Sequence, residues 1–157
     1  MDARQAMLSI AQALDLTEGD FDAQGQRTFV LGPRLVVHAA RIDADTIEWS
    51  VPLPDIDFAD PAMMAVMLEA NCLGAATGAG RLSVDRDAAA YFGERWILRG
   101  LDDAEVQRRF GDLAATAAYW LAEGSDRLLE DAAARRSNAQ PAKRLPAAGE
   151  TTIMMQA

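Results

Sequence analysis

The stretch from Arg27 to Leu53, RTFVLGPRLVVHAARIDADTIEWSVPL, constrains the fold more than any other part of the chain. It holds three strand-like runs divided by Gly32-Pro33 and by the tight polar reversal Asp43 to Asp45. In the third run Ile47, Trp49, Val51 and Leu53 alternate with Glu48 and Ser50, the period-two pattern of a half-buried strand. Connections this short carry no crossover, so the strands form an antiparallel meander.

The period then changes. Asp60 suits an N-cap and Pro61 the first helical position. In the helix that follows, Met63, Val66, Met67, Ala70 and Leu73 share one face while Met64 and Leu68 fall on another. A helix apolar around most of its girth needs cover on two sides. One sheet covers one of them, and a twofold dimer pairing the helix with its copy is the simplest source of the other. The methionines among these residues suit an accommodating surface.

The flanking segments complete the order. Ala3, Ala6, Met7, Ile10, Ala11 and Leu14 mark a first amphipathic helix, and Thr17 to Gln26 reads as a loop. After the second helix come two more strands, RLSVD and AYFGERWIL. A last helix starts at Asp102, with Glu105 placed as in a capping box, and runs through Val106, Phe110, Leu113, Ala117, Trp120 and Leu121. Gly124-Ser125 interrupts it, and DRLLEDAAARR continues it as a weaker turn or two. The expectation is one α+β domain over 1–136, ordered α-β-β-β-α-β-β-α. It would be a twisted antiparallel sheet with helices packed on it, homodimeric, followed by a disordered basic tail over 137–157.

Composition narrows the chemistry. The net charge is −9, and acids dominate until Arg135, Arg136, Lys143 and Arg144 reverse the balance near the end. An acidic body repels nucleic acid and anionic membrane. No window is apolar enough for a membrane insertion, and no secretory signal is expected at the N-terminus, which places the protein in the cytoplasm. Cys72 and His38 are the sole residues of their types, so no disulfide, thiolate cluster or metal site is expected, and no cofactor. His38 reads as a polar residue on an exposed strand face, Cys72 as a small buried apolar residue. Asp55, Asp57 and Asp60 lack the glycine and downstream glutamate of a calcium loop. No catalytic residue is assigned, and a binding protein outranks an enzyme.

LGAATGAGRL, from Leu73 to Leu82, invites a phosphate-loop reading that its context refuses. A phosphate loop needs Lys-Ser/Thr where Arg81-Leu82 stands, and a dinucleotide fingerprint needs strand before helix. Here the helix comes first, so the glycines end it and relieve the turn into the next strand.

With these features in place, MLEANCLGAATGAGRLSVD and ERWILRGLDDAEVQRRFGDLAATAAYWLAEG resemble the CesT/Tir-type chaperones of bacterial type III secretion. The resemblance lies in Leu68 and Asn71, Gly78 and Gly80, Leu82, Leu98, Leu101 and Trp120, and covers roughly residues 3–130 in element order. It departs from the family's pattern at DRDAAA, which lacks a glycine, and in the basic tail. It implies a non-enzymatic homodimer from a Gram-negative bacterium, tied to virulence. Such a protein holds the N-terminal segment of a secreted effector in extended form, keeps it soluble and presents it to the export machinery, including the export ATPase.

The charge-poor strand Phe29, Val30 and Leu31 invites addition of an extended peptide. Together with the grooves the resemblance implies, substrate is expected on Met7, Ile10, Phe29, Val30, Leu31 and Val37. The dimer contact is expected on Met63, Val66, Met67, Ala70 and Trp96. The rival reading is a non-secretory interaction or regulatory module that binds a folded partner; a third centres catalysis on His38.

Overall fold

The computed structural model describes residues 1–54, 56, 60–74 and 76–138. Asp55, Asp57 and the tail from Ala139 lie outside them, so the oxygen-ligand loop and the tail are not described; Asp60 caps a helix. The elements are α1 (Ala3–Ala13), β1 (Gln26–Leu31), β2 (Leu35–Arg41), β3 (Thr46–Leu53), α2 (Pro61–Ala70), β4 (Arg81–Val84), β5 (Ala90–Ile97), α3 (Asp103–Tyr119) and α4 (Ser125–Asn138). A short 3-10 turn, Cys72–Gly74, follows α2, and a π-helical turn, Trp120–Gly124, joins α3 to α4. The architecture is the expected α+β order, extended by α4.

The five strands form one antiparallel sheet in the order β1-β2-β3-β5-β4. Alternation gives it two unlike faces. Phe29, Val37, Trp49, Val51, Phe92 and Trp96 are buried on one face. On the other, Thr28 pairs His38, His38 pairs Ser50, Ser50 pairs Gly93 and Gly93 pairs Arg81, a polar rung across all five strands. Gly93 is required there: a Cβ would stand 2.6 Å from the Trp49 carbonyl oxygen.

The helices cover the apolar face. The Phe110 ring of α3 lies 5.3 Å from both Phe29 and Trp49, and Trp49 lies 4.9 Å from Trp96. Aromatic pairs of this kind add about 0.5–1.5 kcal/mol each beyond area burial. α1 begins at a reciprocal capping box between Asp2 and Gln5, a signal the helical spacing alone does not contain. Gln107 of α3 then reaches the Ser9 carbonyl (3.2 Å) and hydroxyl (3.1 Å), tying α3 to α1.

The second helix departs from expectation in what covers it. Asp60 caps it through Ala62 N–H and Pro61 opens it, as read. Its Met63, Val66 and Met67 face is buried within the chain, where α2 packs on α4 and β4. A helix that reads as a weak extension thus spans 14 residues and supplies the cover assigned to a second copy. Met64 and Leu68 remain exposed, at 52% and 69%.

Candidate interaction site

Among the described residues β1 pairs β2 on one side and has no strand on its other edge. Arg41 N–H bonds the Gly25 carbonyl, which sets the alternation. The main-chain groups of Arg27, Phe29 and Leu31 therefore face β2, and those of Gln26, Thr28 and Val30 face outward. Asp22 closes the start of this edge: its carboxylate accepts from Gln26 N–H (2.8 Å) and its own N–H donates to the Gln26 carbonyl (2.8 Å). Thr28 and Val30 keep their outward groups for an added strand.

A cleft of about 640 Å3 runs beside this edge. Arg4 and Leu8 of α1, Glu18, Asp20 and Phe21 of the loop, and Arg27 and Thr28 of β1 line it. Arg4 pairs with Asp20 at 2.7 Å, and Arg27 donates to the Glu18 carbonyl at 2.8 Å. Leu8 is exposed and also lines a second cleft between α1 and the start of α3. The arrangement offers main-chain hydrogen bonds, apolar contact at Leu8 and Val30, and an acidic rim.

The expected contact residues distribute unevenly around this cleft. Val30 is 70% exposed and Leu31 is half-buried. Met7, Ile10, Phe29 and Val37 are buried in the core and present no surface, because the apolar faces of α1 and β1 are used to join them. Leu8 is a further exposed apolar residue at this cleft, and the helical spacing pattern passes over it because it sits off the core stripe.

The residues expected at a dimer contact lie for the most part inside the single chain. Met63, Val66 and Met67 are buried within the chain, on a helix that packs against α4 and β4, and Ala70 is half-buried. Trp96 belongs to the core, its indole N–H donating to Glu94 at 2.8 Å. The exposed apolar surface of this region is Met64, Leu68 and Leu73. Leu73 is fully exposed and holds a left-handed backbone, φ 54°. A large apolar side chain held out in a strained conformation marks a candidate contact.

The remaining chemical groups take structural roles. The ring Nδ1 of His38 and the Thr28 hydroxyl pair across strands at 2.9 Å. Cys72 is exposed rather than buried, because the chain leaves the helix at Asn71. On the open sheet face Glu48 pairs with Arg81 and Arg95. Among the described residues no group of three or more His, Cys, Asp or Glu could hold a metal ion, and no helix is long and apolar enough to cross a membrane.

The glycine stretch and the residues beside it locate the chain's relatives. Asn71 accepts from Leu82 N–H (2.8 Å) and donates to the Leu82 carbonyl (2.9 Å), clasping β4 to the end of α2. Gly74 and Gly78 hold left-handed backbone, and a Cβ at Gly80 would collide with the Phe92 ring. Residues 5–121 match the model of the Tir chaperone protein (CesT) family. A comparison with curated proteins finds no matching relative.

Three solved structures share the fold. One is the Yersinia pestis type III secretion chaperone SycH in complex with a stable fragment of YscM2: TM-score 0.57, 15% identity, covering 74% of this chain and 98% of that one. The ExsC–ExsE complex gives 0.62 at 10% identity, covering 77% and 95%. The heterodimeric ExoU–SpcU complex from the type III secretion system of Pseudomonas aeruginosa gives 0.54 at 16% identity, covering 80% and 95%. At such identities the likeness is one of fold.

Proposed function

We propose that this chain, which belongs to the Tir chaperone protein (CesT) family, is a type III secretion chaperone that binds the N-terminal segment of a secreted effector in extended form. The observation that carries the reading is the family match over residues 5–121, which takes in the whole sheet and every residue lining the cleft beside β1 except Arg4. The chaperone works in the bacterial cytoplasm and catalyses no reaction. It keeps the segment soluble and presents it to the export machinery, of which the export ATPase is the proposed contact.

The segment docks as an added strand on the outward groups of Thr28 and Val30, with apolar side chains against Leu8, Val30 and Leu31. The acidic rim at Glu18 and Asp20 meets basic residues of the segment. Two copies pair through Met64, Leu68 and Leu73, the apolar surface that α4 leaves open. A domain over 1–136 with a separate tail stays part of the proposal, and α4 itself ends at Asn138.

Thr28→Pro removes an outward N–H without touching the core, and Val30→Asp puts charge on the docking surface. Each should weaken capture of a co-expressed effector N-terminal segment roughly tenfold or more, about the worth of one or two hydrogen bonds. Circular dichroism should stay unchanged. Undiminished capture by both variants sinks the β1 assignment.

A further inference from the structure

We infer that Asp22 is a stop that fixes where an added strand ends on β1, so that this edge selects a short segment in a single register. The inference rests on the strand addition proposed above and concerns which segments that site accepts.

The edge of β1 is limited at both ends. At its start Asp22 occupies both main-chain groups of Gln26: the carboxylate accepts from the Gln26 N–H at 2.8 Å, and the Asp22 N–H donates to the Gln26 carbonyl at 2.8 Å. At its far end Gly32 holds a left-handed backbone, φ 68°, and Pro33 carries no N–H, so the chain turns away directly after Leu31. Between these limits Thr28 and Val30 alone present outward donors and acceptors. An added strand pairs with those two residues, over a run of about three of its own.

The loop that carries the stop is held at several points. The Asp22 carboxylate also accepts from the Gln24 N–H (2.9 Å), and the Asp22 carbonyl accepts from the Gly25 N–H (3.0 Å), which closes a turn that Gly25 completes at φ 75°. The half-buried Phe21 ring faces the Arg41 guanidinium at 5.6 Å. Asp20 pairs with Arg4 of α1, and the Glu18 carbonyl accepts from Arg27. A strand arriving at the edge meets a fixed wall, and pairing beyond Thr28 requires breaking both Asp22 bonds to Gln26.

Strand pairing repeats every two residues, so an edge without a stop lets a segment slide by two and keep the same faces. With the stop, the segment pairs with Val30 and Thr28 and leaves the sheet at Gln26. The accepted segment is an extended run with apolar residues toward the Val30 end. The residue opposite Gln26 makes no main-chain bond, so proline is admitted there. Glu18, Asp20 and Asp22 favour a basic residue at that place or just past it.

The probe is a displayed library of random peptides about nine residues long, selected on the immobilised full chain. Aligned binders should exclude proline at two positions two residues apart, those whose N–H groups reach the Thr28 and Val30 carbonyls. They should admit it at the next alternate position, opposite Gln26. Asp22→Pro lacks both the carboxylate and the N–H of the stop, whereas Asp22→Asn keeps an acceptor and the N–H. On Asp22→Pro the admitted proline should fall at least about fivefold in frequency, the effect of one hydrogen bond, while Asp22→Asn keeps the original pattern. An unchanged pattern on Asp22→Pro overturns the stop and leaves strand addition standing. Binders that Thr28→Pro retains undiminished, or the absence of any enriched peptide, overturn strand addition itself. Amide exchange in the unliganded chain gives a reading independent of how any variant folds. The Gln26 N–H should exchange at least roughly tenfold more slowly than those of Thr28 and Val30, and equal rates overturn the stop.

Discussion

Asn71 shows how a single side chain joins two elements that the sequence places on either side of a glycine-rich turn. Its amide satisfies both main-chain groups of Leu82, which is itself buried. Asn71→Leu keeps the volume and leaves an N–H and a C=O of β4 unpaired, so the protein should lose about 2–3 kcal/mol of stability. A urea midpoint unchanged by this substitution contradicts the clasp. Leu73, two residues on, has the opposite character. Its φ of 54° costs a non-glycine residue about 1 kcal/mol, and its side chain contacts solvent. Leu73→Gly should raise thermal stability by roughly 0.5–1 kcal/mol of folding free energy while weakening self-association. Gain of stability with unaltered dimerisation, measured by sedimentation, removes Leu73 from the contact. The Leu68-x-x-Asn71 spacing is visible in the sequence; the backbone strain at Leu73 is not, because leucine carries no signal for a left-handed conformation.

At the level of elements, periodicity locates helices and strands well, because each buries one regular stripe: Phe29 beside Val37, Val51 beside Phe92, Phe110 on α3. It locates partners poorly. The sequence offers no partner within the chain for the Met63/Val66/Met67 face of α2, because α4, polar with a three-residue buried stripe, hardly registers as apolar. The β4–β5 turn lacks the glycine of the family's pattern. Ala88 takes the left-handed position instead, φ 62°. Asp85 holds the turn by accepting from Ala89 N–H, Asp87 N–H and the Tyr91 hydroxyl, and the Ala89 bond foremost keeps its carboxyl below its ordinary range. The first turn of α3 gives a pH prediction. Hydrogen bonds from Arg108 and then Arg109 lower the Glu105 pKa from 4.5 to about 2. A carboxyl depressed on folding contributes stability that is present above its unfolded pKa and lost as pH falls toward the folded one. Stability should therefore decline between pH 4.5 and 2 in part through this group, and Glu105→Gln should flatten that decline in urea melts. An identical slope in the variant rules Glu105 out as a contributor.

The whole molecule carries a net charge of −9, and along its cleft beside β1 the carboxylates outnumber the arginines three to two. Glu18, Asp20 and Asp22 stand along it against Arg4 and Arg27, with Arg4 already paired to Asp20 and Arg27 4.0 Å from the Glu18 carboxylate. Such a field acts over a Debye length, about 10 Å at 0.1 M salt, so it reaches a chain before contact and steers it. In the proposed bound state, affinity rests instead on main-chain hydrogen bonds at Thr28 and Val30 and on apolar contact at Leu8, which salt screens little. These two contributions separate in kinetics. For an effector segment carrying several basic residues, raising salt from about 0.05 to 0.5 M should lower the association rate constant by roughly an order of magnitude. The dissociation rate constant should change less than about twofold, since affinity set by contact resides in dissociation. Glu18→Gln should reduce the salt slope without altering dissociation, whereas Val30→Asp should speed dissociation at every salt concentration. Stopped-flow fluorescence with a labelled segment resolves both constants. A salt effect confined to dissociation would mean that the acidic residues grip the bound segment instead of guiding it, and the rim would then belong to the contact surface itself.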